Sequence, residues 1–333
     1  MISAILCDIK YIIDMFYGGT KMLKRFISIG VLVLSLTILF AGCGKAEKND
    51  KQYDSSYNLK ESENQESNTT NNSDNNEVKK ENDNDKLSII TDNDKKVQEP
   101  VKEKLDNTER SWWYTPKKNG EIPSGPKEGM EYNKLYNGYY LGDTSKKYIY
   151  LTFDEGYENG YTPKILDVLY KENVKAAFFV TLPYIKEHPE LVKRMIDEGH
   201  VVGNHSATHP SMAQKATQGR EVFNKELLDV EKEFKKVTGR DIDKFFRPPM
   251  GIFSETSMSY TNLLGYKSIY WSFAYGDYDE NKQPDPVEAK NLIIERTHNG
   301  GIYLLHAMSK TNTGILEELI EYWNCLLYTS PSP

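Results

Sequence analysis

Two adjacent acids, Asp154 and Glu155, follow directly on the run Tyr148-Ile-Tyr-Leu-Thr-Phe153. That run is β-branched and aromatic and reads as a buried strand. The carboxyl end of a strand is where α/β folds place their chemistry, and paired carboxylates suit general-base work or metal ligation. Taken alone, the stretch reads equally well as a strand followed by a polar turn. A second constellation, His205-Ser-Ala-Thr-His209, follows the strand-like Val201-Val-Gly203. Its four-residue spacing predicts two imidazoles one helical turn apart, able to grip one metal ion. Two histidines and one carboxylate, from Asp154 or Glu155, with open coordination positions, make up a hydrolytic metal site. Without such an acid nearby, the histidines read as loop residues.

Two further strand ends carry unusual polar groups. Phe245-Phe-Arg-Pro-Pro-Met-Gly251 delivers Arg247 from a strand end and locks it with two prolines. Beside a carboxylate, that guanidinium would keep the acid ionised; the plainer reading is a structural ion pair. Gly301-Ile-Tyr-Leu-Leu-His306 delivers a histidine from an apolar run. His306 is a candidate general acid near neutral pH, or else a hydrogen-bonded core residue. Trp271-Ser-Phe-Ala-Tyr-Gly-Asp277 closes another strand. Asp277 could hold His306 in one tautomer, and Trp271 either walls a cleft or packs in the core.

The elements that must position these groups alternate along the chain. Strands are predicted at 148–153, 175–181, 199–203, 244–247, 267–273 and 301–306. Helices are predicted at 162–172, 184–198, 217–238, 255–264, 286–297 and 313–322. This alternation implies an α/β fold, a parallel sheet or barrel with helices outside. Residues 111–147, with Pro116, Gly120, Pro123, Gly125 and Pro126, read as an irregular arm wrapped on the domain at 148–323. Residues 324–333 carry Pro331 and Pro333 and do not resemble a domain ending.

The chain has 333 residues, 27% of them charged, with a net charge of −7, which argues against a nucleic-acid binder. Its cysteines are Cys7, Cys43 and Cys325, so the central domain has none. Lys21, Lys24 and Arg25 precede an apolar run, Phe26 to Phe40, of signal-peptide length. The run closes with Phe40-Ala-Gly-Cys43, which resembles a bacterial lipobox with Cys43 as the lipidated residue. An ordinary signal peptide or an uncleaved anchor is the other reading. Residues 1–21 lie upstream of a better start at Met22. Residues 44–110 are dominated by Asn, Asp, Glu, Lys and Ser and are expected to form a disordered tether, since they can bury little apolar area.

In order, these motifs resemble the polysaccharide deacetylase family (NodB homology, carbohydrate esterase family four). Thr152-Phe-Asp-Glu-Gly156 is similar to its first motif, usually T-F-D-D-G, and His205 and His209 to its second. Arg247-Pro-Pro-Met-Gly251, Trp271 to Asp277, and Leu304-Leu-His306 resemble the remaining three. Gly156-Tyr-Glu-Asn-Gly-Tyr-Thr-Pro163, Tyr140-Leu-Gly142 and Ala274 resemble the delta-lactam-biosynthetic de-N-acetylases of spore-forming bacteria.

The resemblance implies a distorted (β/α) barrel and metal-dependent removal of acetyl from N-acetylmuramic acid in peptidoglycan, on the way to the muramic δ-lactam of the spore cortex. The alternatives are an N-acetylglucosamine deacetylase acting on intact peptidoglycan or another exported glycan, and a non-catalytic wall-binding lipoprotein. Carried onto this chain, it implies Asp154 as base, His306 as general acid, Arg247 orienting Asp154 and Asp277 tuning His306. It implies a divalent metal, zinc first, on His205, His209 and Glu155, where most relatives have Asp in place of Glu155. Tyr157, Trp271 and Leu304 would contact substrate. The expected setting is an exported monomer, anchored to the membrane through Cys43 and facing peptidoglycan strands.

Overall fold

The computed structural model describes residues 105–326 and 328–330. The signal segment, Cys43, residues 44–104 of the tether, and Pro331 and Pro333 lie outside the described residues. Seven strands form one sheet, and every hydrogen-bonded pair in it is parallel. In chain order these are β2 (Gly138–Tyr139), β3 (Ile149–Glu155), β4 (Ala177–Val180), β5 (Val201–Asn204), β6 (Phe245–Phe246), β8 (Lys267–Ile269) and β9 (Gly301–His306). Across the sheet they run β2-β8-β6-β5-β4-β3-β9. The short strands β1 (Arg110–Ser111) and β7 (Ile252–Phe253) form a separate antiparallel pair.

The sheet curls back on itself. After β8 the chain turns to meet β9: Phe273 bridges Tyr303, Ser272 N–H donates to Ile302 O (3.0 Å), and Leu304 N–H donates to Phe273 O (2.9 Å). Leu141, just past β2, bridges Gly301. The last strand is thus covered on both sides, and the sheet becomes a distorted barrel. Such a sheet is buried on both faces, which is why β3 and β9 read as nearly continuous apolar runs.

Nine helices occur among the described residues: α1 (Lys127–Leu135), α2 (Thr162–Lys171), α3 (Leu182–Glu187), α4 (Pro189–Asp197), α5 (Met212–Thr217), α6 (Arg220–Thr238), α7 (Glu255–Leu263), α8 (Pro286–Glu295) and α9 (Lys310–Cys325). Side chains just ahead of several of them cap their first turns. Thr181, Ser211, Ser254 and Ser309 each accept a backbone N–H in the first turn of the helix that follows. One large core joins sheet and helices, including Phe153, Phe178, Val202, Phe246, Leu305, Leu166, Leu227 and Leu316.

Four local expectations change. The helix expected at 184–198 is two, broken at His188–Pro189, because proline cannot continue a helix that precedes it. The helix expected at 217–238 starts only at Arg220, after Gly219 takes φ 114°, with α5 standing apart before it. The strand expected at 267–273 stops at Ile269, where the chain leaves β6 to reach β9. The region expected to be irregular at 111–147 contains α1 and β2. Asn324 and Cys325 continue α9, and Thr329 bridges Tyr148, its carbonyl accepting from Ile149 N–H (3.0 Å).

Candidate active site

The polar residues singled out by sequence gather at the carboxyl ends of β3, β5, β6 and β9 and in the chain leaving β8. Asp154 and His306 are register partners on the neighbouring strands β3 and β9. His205 follows the last residue of β5, and Arg247 follows the last residue of β6.

Arg247 is fully buried. Its Nη1 donates to Asp154 Oδ1 (2.8 Å), its Nε donates to Ile269 O (3.2 Å), and its guanidinium carbon lies 4.2 Å from the Phe179 ring centre. Burial alone would raise the Asp154 carboxyl; the Arg247 guanidinium, with smaller help from His205 and His306, holds it below the usual carboxylate range. Asp154 is therefore an ionised base, ready to accept a proton. The turn that holds Arg247 needs Gly251, whose φ is 65° and where a Cβ would stand 2.6 Å from the Trp271 ring.

The histidine pair sits in a loop, which corrects the expected helical turn. Residues 205–211 have no helical assignment, and Ser206 (φ 71°) and His209 (φ 55°) are left-handed. The two left-handed residues fold the loop tightly enough to bring the imidazole centres within 4.9 Å. His205 Nδ1 lies 2.8 Å from Arg247 O, an acceptor only, so Nδ1 carries the proton and Nε2 keeps its lone pair. That Nε2 is 3.5 Å from Asp154 Oδ2. Burial drives His205 down to about 4, and burial also lowers His209. Both rings are neutral at neutral pH, as ligands must be.

Glu155 takes no part in this cluster. Successive residues of a strand face opposite sides, and Glu155 is fully buried with Oε2 on the Thr162 hydroxyl (3.2 Å) and no partner on Oε1. Burial, then the Glu158 carboxylate, pushes its carboxyl well above the ordinary value of 4.5. Among the described residues no three His, Cys, Asp or Glu side chains form a group that could hold a metal ion. His205 and His209 by themselves still offer neutral imidazole donors of the kind a cation takes, and Glu155 lies apart from them.

On the other flank, Asp277 is fully buried and receives His306 Nδ1–H on Oδ1 (2.8 Å) and His306 N–H on Oδ2 (2.8 Å). Burial works against the charge on His306, but Asp277 outweighs it and raises the imidazole above its usual value. His306 can thus hold a proton on Nε2 and give it up.

The three expected substrate contacts differ in setting. Tyr157, just past β3, is 59% exposed, Trp271 is half-buried beside Arg247, and Leu304 is buried in β9, two residues before His306 and on the same face. Two residues escaped the sequence reading. Tyr278 is exposed, with its ring centre 6.0 Å from that of His306. Asn312 is buried in the first turn of α9 and hydrogen-bonded to Asp277. Only position gives a signal for either: Tyr278 follows Asp277 directly, and Asn312 lies six residues after His306.

A distorted parallel barrel with an acid–arginine pair, an acid–histidine pair and a histidine pair at its strand ends defines a carbohydrate-esterase-type hydrolase. The polysaccharide deacetylase family pattern matches residues 141–269. The chain is 42% identical over 218 residues to the peptidoglycan-N-acetylmuramic acid deacetylase PdaA of Bacillus subtilis, covering 66% of this chain and 82% of that protein. It belongs to the polysaccharide deacetylase family and is an enzyme of that family. The solved structure of Bacillus subtilis PdaA, a family 4 carbohydrate esterase, superposes with a TM-score of 0.64 at 41% identity, covering 67% of this chain and 94% of that one. A family 4 carbohydrate esterase from Bacillus anthracis gives a TM-score of 0.57 at 40% identity, covering 68% and 95%.

Proposed function

We propose that this enzyme hydrolyses the N-acetyl group of N-acetylmuramic acid in peptidoglycan. The observation that carries the reading is the pairing of Asp154 with His306 across β3 and β9, the carboxyl of one lowered by Arg247 and the imidazole of the other raised by Asp277. The 42% identity to a relative named for N-acetylmuramic acid supports the choice of sugar.

Asp154 takes a proton from water as the oxygen attacks the acetyl carbon. His306 gives the Nε2 proton to the nitrogen as the C–N bond breaks, so acetate and a free amine leave. Arg247 stays charged throughout and prevents Asp154 from taking up a proton in the resting site. A divalent metal, zinc first, would be held by His205 and His209 through their Nε2 atoms; when bound, it supplies Lewis-acid polarisation of the acetyl carbonyl and the water. The freed amine on a lactyl-bearing sugar would then be placed for closure of a δ-lactam, the cortex modification that the motif resemblance implies. The lipobox-like Cys43 and the polar stretch after it support an anchored enzyme reaching peptidoglycan from the membrane surface.

The test is acetate release from glycan strands stripped of stem peptide and from intact strands, with and without added zinc. Release from the stripped strands alone supports the muramic-acid reading. Release only from N-acetylglucosamine residues would replace it with the glucosamine reading, and no release from either would mark a wall binder. Asp154→Asn and His306→Ala should each lower kcat about 100- to 10,000-fold while the circular dichroism spectrum stays unchanged.

A further inference from the structure

We propose that Asn312 is a positioning residue that fixes the Asp277–His306 pair for proton delivery. The proposal rests on the deacetylase reading above, in which His306 is the acid. Asn312 is 2% exposed and enters from the first turn of α9, just beyond the end of β9. Its Nδ2 donates to Asp277 Oδ2 (2.6 Å) and to His306 O (3.1 Å), so one amide spans both members of the pair. Its Oδ1 accepts from the Tyr275 hydroxyl. Asp277 Oδ2 and His306 O, both acceptors only, set the amide's orientation, and the Tyr275 hydroxyl then donates to the oxygen: a flipped amide would put its oxygen against Asp277 Oδ2, two acceptors face to face.

Asp277 depends on this donor. Among the described residues no Lys or Arg pairs with it, and its only ion-pair partner is His306. A buried carboxylate without a cation needs its lone pairs filled by hydrogen bonds. Without Asn312, Oδ2 keeps only the His306 backbone N–H, and the carboxylate is free to turn away from Nδ1. Gln283 closes the frame, donating to Asp277 O (3.0 Å) and accepting from Ser309 Oγ (2.6 Å), the cap of α9. The helix that carries Asn312 is thereby tied to the loop that carries Asp277.

The other charged and titratable groups facing His306 are Asp154 on β3, Arg247 after β6, His209 in the loop after β5, and Tyr278 beside Asp277. None of them touches the carboxylate of Asp277 in place of Asn312.

The experiment uses the full chain with Asn312→Ala and Tyr275→Phe. It reads kcat and KM for acetate release, and the His306 imidazole titration by NMR. Asn312→Ala should lower kcat about 10- to 100-fold, the range found when a partner behind a site residue is removed, with KM unchanged. The His306 midpoint should move downward, because a carboxylate free to turn away from Nδ1 stabilises the imidazolium less. Tyr275→Phe should move both readings the same way by less. Parental kcat together with a parental midpoint overturns the proposal. So does a loss of kcat with an unmoved midpoint, which would mark a packing role only. Should Asn312→Ala fail to fold, Tyr275→Phe, which keeps the volume, decides by the same two readings. If the parent releases no acetate while the midpoint still moves in Asn312→Ala, the deacetylase reading falls and the positioning role stands.

Discussion

A strand turns successive side chains to opposite faces, so Asp154 and Glu155 meet different surroundings. Asp154 meets the Arg247 guanidinium, which holds its carboxyl low; Glu155 meets the Thr162 hydroxyl in the interior, where burial and the Glu158 carboxylate push its carboxyl well above the ordinary value. Each has a consequence in pH. In the proposed reaction Asp154 must be ionised and His306 protonated, so kcat/KM should be flat from below the usual aspartate value to above the usual histidine value. Arg247→Gln removes the charge that depresses Asp154, and the acid limb should move to higher pH; an unmoved limb would detach Arg247 from the base. For Glu155 the sign is reversed. Its folded carboxyl binds a proton more tightly than the unfolded one, so stability is full below the ordinary value of 4.5 and falls as pH rises toward the raised value. Glu155→Gln carries no such penalty. The melting-temperature gap between Glu155→Gln and parent should widen as pH rises above 4.5, and a constant gap would refute the raised carboxyl.

At the level of elements, the strand ends carry the site and the turns aim it. Gly251→Ala should distort the Arg247 turn, since a Cβ at φ 65° meets the Trp271 ring. We expect a lower melting temperature and a higher KM, read by calorimetry and steady-state kinetics. How much of this was legible depended on the kind of signal. Strands β3 and β9 were plain because buried parallel strands are continuous apolar runs that end abruptly in charge. Four motif residues are legible for the same reason: Asp154, His205, Arg247 and His306 each sit at or just past such an end, whereas Asp277 lies in the chain eight residues beyond β8. The histidine loop was misread because four-residue spacing fits a helical turn as well as a loop with two left-handed residues. The different surroundings of Glu155 leave no trace in the sequence, because adjacency says nothing about a shared face. Asn312 left no sequence signal, since an asparagine in a helix's first turn reads as ordinary capping chemistry.

For the whole molecule, buried neutral histidines set the acid limit. Burial lowers His200 and His205 to about 4, and lowers His209 and His298 as well. Each would take a proton when unfolded but resists one when folded, so their contribution to stability is lost as pH falls from 6.5 toward 4. The melting temperature should drop across that window, and less steeply in His200→Gln, which lies away from the site; a parallel drop in both would exclude His200 as a contributor. The barrel also acts as a caliper. The proposed acid and base stand on adjoining strands, a separation of about 4.8 Å in any sheet. Water oxygen, carbonyl carbon and departing nitrogen must fit between the jaws together. A small acyl group on an exposed nitrogen does so, and turnover should fall in steps from N-acetyl to N-propionyl to N-butyryl sugars. That tolerance is written in main-chain hydrogen bonds, so changes to the surrounding side chains can retune the sugar more readily than the acyl group.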